Sequence, residues 1–145
     1  MEITIVQTPS HFMIGPLVEQ RLGPERRARS QMVKAIVAAG IPLAIGSDGP
    51  TNPFLNILLA TIHQTNPAQA LTVEQAVAAY TRGAAAAEFA ERQKGTIAPG
   101  MVADVALLSQ DIFTIAPPEL PKTTSVLTIV NGKVVYEPKS LKTED

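Results

Sequence analysis

Residues 2–8 alternate: Ile3, Ile5 and Gln7 fall on one side and Thr4 and Val6 on the other, until Pro9 ends the run. That period predicts a strand closed by a loop. Residues 9–24 are interrupted by Pro9, Gly15, Pro16 and Gly23, and read as a long excursion without regular structure. From Glu25 the period lengthens, with Met32, Val33, Ile36 and Val37 on one helical face and Arg26, Arg27, Arg29 and Lys34 largely elsewhere. Gly40 stands where a helix C-terminus takes a left-handed residue. Ile41 to Ile45 is a short apolar run between glycines and suits a buried parallel strand. Strand, loop, helix, glycine and buried strand make one β-α-β unit, which implies a parallel sheet and an α/β fold.

Beyond Ile45 the stretch Gly46-Ser47-Asp48-Gly49-Pro50-Thr51-Asn52-Pro53 is a stiff loop. Leu55, Leu58, Leu59 and Ile62 then predict a helix with those residues inward. Thr72 with Gln75 is a capping box opening another helix, whose inner face is Val73, Ala76, Val77 and Tyr80. An alanine-rich helix follows over 84–92, with Glu88 and Arg92 spaced as an ion pair and Gly95 as its stop. The pattern changes there, so residues 1–95 and 96–145 are read as two regions. Pro99-Gly100 signals a type II turn, 104–108 a strand, and the three prolines of 117–124 a linker-like crossing. Asn131-Gly132 between Ser125–Val130 and Lys133–Tyr136 is the signature of a type I′ hairpin. The polar tail from Glu137 is expected to fray.

Composition narrows the chemistry. In 145 residues there are 12 Lys plus Arg against 13 Asp plus Glu, a balance that gives no reason to expect a nucleic-acid or membrane-surface partner. No apolar run approaches the roughly 18 residues that span a bilayer, and the N-terminus lacks a signal-peptide layout. A soluble, cytoplasmic protein is the expectation. The absence of cysteine excludes disulfides, thiolate metal sites and Cys nucleophiles. With no Trp and 4% aromatics the core must be aliphatic and alanine-rich.

Three residues could carry chemistry. Asp48 follows the C-terminal end of the predicted buried strand, the edge where parallel α/β folds gather ligands and catalytic groups. A carboxylate there can ligate a metal or take a proton from water, or simply cap the loop or the next helix. His11, after the first strand, lies at the same edge and could approach Asp48, or be an ordinary hydrogen-bonding residue. His63 ends a helix, where the dipole favours an imidazolium, and reads as structural or exposed. Gly95 to Val102 has the glycine spacing of a phosphate loop but lacks its Lys and Ser/Thr, and carries no such function. The arginines at 26, 27 and 29 read as a solvated helix face beside Glu19 and Glu25.

In order along the chain, several segments resemble the metal-dependent amidohydrolase superfamily, its amidohydrolase-3 branch in particular. Ala39-Gly40-Ile41-Pro42-Leu43-Ala44-Ile45-Gly46-Ser47-Asp48-Gly49-Pro50 is similar to the family's last barrel strand. Gln7-Thr8-Pro9-Ser10-His11 with Leu22-Gly23 resembles the segment after the preceding strand. Leu71 to Val77, Tyr80-Thr81, Gly95-Thr96-Ile97, Pro99-Gly100 and Ala103-Asp104 resemble its C-terminal signature, and Thr128 to Tyr136 its closing hairpin. The resemblance implies the last two β/α units of a (β/α)8 barrel, followed by a small β-sandwich portion. It implies hydrolysis of an amide or other C–N bond in a small-molecule substrate, with a divalent metal, zinc foremost. Asp48 would then be a metal ligand and the catalytic base toward water; His11, at the same edge, is the candidate for a second ligand, and this chain by itself could hold no metal.

The family's His-x-His pair, bridging Lys or Glu and middle-strand histidines have no counterpart in these residues. A catalytic zinc normally needs three protein ligands. The chain alone is therefore expected to be inactive, and either to lack an N-terminal barrel half or to pack against copies of itself. The alternative reading is a non-catalytic oligomerising or binding module derived from that fold. A metal site shared between subunits through Asp48 and His11 is a third.

Overall fold

The computed structural model describes residues 3–138; Glu2 and the tail from 139 onward, both part of the expectations above, lie outside the described residues. Two parallel strands, β1 (Ile5–Gln7) and β2 (Leu43–Ile45), pair in the register Ile5 to Leu43, Val6 to Ala44 and Gln7 to Ile45. Backbone bonds from Ile5 N to the Pro42 carbonyl and from Gly46 N to the Gln7 carbonyl, both 2.9 Å, extend the ladder at its two ends. All three residues of β2 are buried, as its apolar run predicts. β1 is more open: Val6 is exposed and Ile5 half-buried.

The crossover between them departs from the expected loop and single helix. Residues 9–24 are helical almost throughout, as a 3-10 segment Pro9–Ile14 and helix α1 (Gly15–Leu22), with α2 (Pro24–Ala28) following. Each of these starts with a proline at its first or second position, where the missing N–H has no partner to lose. The proline pattern marked helix starts rather than irregular chain. A break at 29–32, with Gln31 at φ 57°, separates α2 from α3 (Val33–Ala38). Val33 is buried, Ile36 and Val37 pack on the core, and Gly40 takes the left-handed conformation expected past the helix end, at φ 71°.

Helix α4 (Pro53–Ile62) is capped by Asn52, whose Oδ1 accepts from Phe54 N and Leu55 N. Its buried side is Asn56, Ile57, Leu59 and Ala60; Ile62, expected inward, is exposed. Helix α5 (Val73–Ala78) opens with the Thr72–Gln75 capping box as predicted, and Ala76 is fully buried. A π-helical turn, Ala79–Gly83, then joins it to α6 (Ala84–Ala87), so the two predicted helices are one continuous run. The turn seats Gly83 against β2, where a Cβ would lie 1.9 Å from the Leu43 carbonyl oxygen. The run stops at Ala87 rather than near Gly95, and Glu88 pairs with Lys94 at 2.8 Å rather than with Arg92.

The last third forms an antiparallel sheet in the order β3 (Val105–Leu108), β4 (Ser125–Val130), β5 (Lys133–Tyr136). Asn131 at φ 50° and Gly132 at φ 75° make the predicted two-residue turn. Gly100 at φ 88°, with Met101 N bonded to the Ala98 carbonyl, gives the predicted turn at Pro99-Gly100. The expected linker over 117–124 is instead a 3-10 segment, Pro117–Lys122, that buries Leu120 in the common core. Asn52 Nδ2 donates to the Pro121 carbonyl at 2.8 Å, fixing that segment to the head of α4. The core gathers Val33, Leu43, Ile45, Ile57, Leu71, Ile112 and Leu120, aliphatic as the composition required.

Candidate metal-site edge of the parallel strands

Parallel pairing puts the C-terminal ends of β1 and β2 side by side, so the segments leaving them, 8–14 and 46–52, emerge together. Ser10 ties them. Ser10, itself buried, donates its hydroxyl to the Ser47 carbonyl, and its backbone N–H donates to Asn56 Oδ1 at 3.0 Å. Asn56 is fully buried on α4, so Ser10 is held by the helix on one side and by the loop after β2 on the other.

This clamp brings together the next residue on each segment: His11 Nε2 lies 2.9 Å from Asp48 Oδ2. The approach expected at the sheet edge is present. Both side chains remain open to solvent, 40% exposed for His11 and 77% for Asp48. Asp48 sits at φ 40°, left-handed backbone that Asp and Asn tolerate better than other side chains, and Gly49 follows at φ 134°. The loop is thus bent to present the carboxylate outward.

His63 takes no part. It is fully buried at the end of α4, its Nε2–H donating to the Gln31 carbonyl at 2.7 Å while Nδ1 accepts from Asn66 N at 3.1 Å. With one ring nitrogen a donor and the other an acceptor it is a neutral structural imidazole, edge-on to Phe12 at 4.8 Å. Ser10, Ser47 and Asn56 carried no sequence signal, because the bonds joining them span 37 and 46 positions.

Removing the Ser10 hydroxyl in Ser10→Ala frees the Ser47 carbonyl and is expected to cost about 1 kcal/mol. Urea denaturation measures that, and faster amide exchange at 47–49 would locate it. Tyr80 reaches the same loop. Burial raises its hydroxyl above the usual phenol value, partly offset by a hydrogen bond with Ser47. The folded state therefore holds the Tyr80 proton more tightly than the unfolded chain, and the stability this gives is present below the ordinary phenol value of about 10 and lost as pH climbs through the folded value. A 295 nm titration is expected to show a late-ionising component that disappears in Tyr80→Phe.

Residues 3–136 match the family model of the amidohydrolase family, nearly the whole chain. The chain belongs to the amidohydrolase family. Among curated relatives, YtcJ of Bacillus subtilis is 34% identical over 141 residues, 88% of this chain and 27% of that protein. The 5-methylthioadenosine/S-adenosylhomocysteine deaminase of Caldanaerobacter subterraneus is 32% identical over 130 residues, 78% of this chain and 30% of that enzyme. The chain thus spans between a quarter and a third of these amidohydrolase relatives. Two solved structures share the α/β fold. One is an adenosine deaminase from Xanthomonas campestris with bound zinc (TM-score 0.68, 21% identity, covering 98% of this chain and 34% of that one). The other is a metal-dependent hydrolase from Pyrococcus horikoshii (TM-score 0.65, 21% identity, covering 81% and 26%).

One of these structures holds zinc and the other is a metal-dependent hydrolase by name. An imidazole nitrogen and a carboxylate oxygen are donors that zinc accepts, so His11 and Asp48 fit it by type. They fall short in number: among the described residues no group of three or more His, Cys, Asp or Glu could hold an ion. Nor does any described helix have the length and hydropathy to cross a membrane.

Proposed function

We propose that this chain supplies the last two β/α units and the closing hairpin of a metal-dependent hydrolase of amide or other C–N bonds, acting on a small molecule. In this reading β1 and β2 are the final strands of a (β/α)8 barrel, and Asp48 and His11 are two members of a ligand set completed by other polypeptide. The observation that carries it is the 2.9 Å pair of His11 and Asp48 at the C-terminal ends of adjacent parallel strands, in a chain matched by the family over residues 3–136. A divalent metal bound there would acidify a water and polarise the scissile carbonyl. Asp48, whose carboxylate is 77% exposed, would be the group to take a proton from a nearby water. His11 Nε2 bonds Asp48 Oδ2 here, a bond that Nε2 would give up to ligate a metal, while the Ser10 bonds to Ser47 and Asn56 keep the two segments together.

Two donors bind zinc weakly. The expected result is therefore a reversible zinc response: NMR shifts centred on His11 and Asp48 that dialysis removes, with no amide hydrolysis by the chain alone. No zinc response at either residue would refute the reading. Close to one tightly held metal per chain, or per two chains, by elemental mass spectrometry would instead mean that copies complete the site together.

A second reading, an assembly module derived from the fold, draws on one observation. Leu107, Val134, Val135 and Tyr136 are exposed apolar side chains on the three-stranded sheet. Sedimentation giving a single defined oligomer, with no zinc response, would favour it.

A further inference from the structure

The chain has four asparagines, and the residue that follows each decides how stable its carboxamide is. A backbone nitrogen after asparagine can attack the side-chain carbonyl carbon and close a five-membered ring. Pro53 and Pro67 follow Asn52 and Asn66, and proline has no N–H to give up. Ile57 follows Asn56, whose side chain is fully buried and engaged by Ser10, and the branched residue crowds the ring. Gly132 follows Asn131, puts no side chain in the way, and both residues are exposed.

This turn is held from outside its own hairpin. Asn131 N donates to Asp104 Oδ1 at 2.7 Å, and Gly132 N donates to the Ala103 carbonyl at 3.0 Å. Two consecutive residues just ahead of β3 thus grip both N–H groups of the turn, whose φ angles are 50° and 75°. The second bond occupies the nitrogen that would attack. Ring closure needs that nitrogen deprotonated and swung onto Asn131 Cγ, so the bond to Ala103 must break first. The first bond, made to a carboxylate, is the stronger of the two and keeps the turn seated.

We propose that Asn131 is a self-modification site, where the Gly132 nitrogen displaces ammonia from the carboxamide, and that Ala103 and Asp104 hold this reaction shut while the hairpin is seated. The Gly132 nitrogen loses its proton and bonds to Asn131 Cγ; the Cγ–Nδ2 bond breaks, and ammonia leaves with that proton. Water then opens the ring. Opening on the side-chain side leaves an aspartyl residue, and opening at the main-chain carbonyl leaves an isoaspartyl link running through the side chain. The sum is one water consumed and one ammonia released. No metal or oxidant takes part, so the reaction is independent of the hydrolase reading. Either product adds a carboxylate near Asp104. The isoaspartyl link also adds a backbone carbon to a turn that, with Val130 paired to Lys133, is built for two residues. The reaction therefore loosens β5.

The test incubates the 145-residue chain at mildly alkaline pH, folded in buffer and unfolded in guanidinium chloride, and follows the tryptic peptide 123–133 by mass spectrometry. The readout is the mass gain of amide-to-acid conversion; isomerisation at Asp48-Gly49 leaves mass unchanged and lies in another peptide. Conversion is expected to be at least about tenfold slower in the folded chain, where it waits on local opening. Asp104→Ala removes the acceptor for the Asn131 N–H and is expected to speed conversion of the folded chain by about tenfold. Asp104→Asn keeps an acceptor oxygen and should stay within about threefold of the parent. No conversion of this peptide in the unfolded chain would overturn the site, and equal rates in folded and unfolded chains would overturn the gate. So would a folded Asp104→Ala chain that converts like the parent, or Asp104→Asn converting as fast as Asp104→Ala. Should Asp104→Ala not fold, the parent chain, folded against unfolded, still decides.

Discussion

Asp48→Asn is expected to abolish the zinc response at His11, weakening it by more than about a hundredfold, while leaving the chain folded. A hundredfold is the upper end of what losing a mere supporting partner of a metal ligand costs, and on the proposed reading the anionic ligand itself is lost. Asparagine is the informative replacement because the backbone stands at φ 40°. Asn tolerates that conformation as Asp does, whereas alanine would add strain of about 1–2 kcal/mol. The pair with His11 lies at 40% and 77% exposure, and an exposed ion pair contributes at most about 1 kcal/mol. Stability to urea should therefore change little. Zinc-induced shifts surviving in Asp48→Asn would mean that the carboxylate is not a ligand. A large loss of stability would mean that it chiefly holds the loop. On the proposed reading, the same substitution in a complete, active relative of this architecture should remove hydrolysis, because base and ligand are lost together.

Gly83→Ala is expected to be the most damaging single methyl group in the described fold. The added Cβ would lie 1.9 Å from the Leu43 carbonyl oxygen, 2.9 Å from its carbon and 3.3 Å from Ala44 Cα. These are backbone atoms of β2, so no side chain can rotate away, and either the helical run or the strand must move. Overpacking costs about 1–3 kcal/mol when side chains can yield; here about 3 kcal/mol or more is expected. For a chain of this size that lowers the melting temperature by roughly 10 °C. Gly46→Ala is the control. It sits at the end of the same strand, but its Cβ would meet Val6 Cγ1 at 3.6 Å, an ordinary contact. Equal melting temperatures for the two variants would show that Gly83 is not tightly seated. Because β2 leads directly into Ser47 and Asp48, displacement there should also weaken the zinc response.

What could be read from the sequence was encoded within a few residues. The Asn131-Gly132 turn needs only two positive-φ residues between β-branched runs. The Thr72–Gln75 box closes over one helical turn, and the burial of β2 follows from five apolar-rich positions between glycines. Asp48 could be singled out because it follows such a strand, and the order of motifs was enough to point to the amidohydrolase family. Most of what failed was non-local. Pro9, Pro16 and Pro24 suit a loop or a helix start equally well, and only packing of Phe12 and the neighbouring helices selects the second. Leu120 lies among prolines that suggest a crossing segment, yet it fills a gap beside α4 that is made by residues some sixty positions earlier. The π-helical turn exists to bring Gly83 onto β2, a fit set by two elements far apart in sequence. So it is with the site: the sequence named His11 and Asp48 separately, but bonds from Ser10 to Ser47 and Asn56, formed only when the parallel strands dock, decide that they meet.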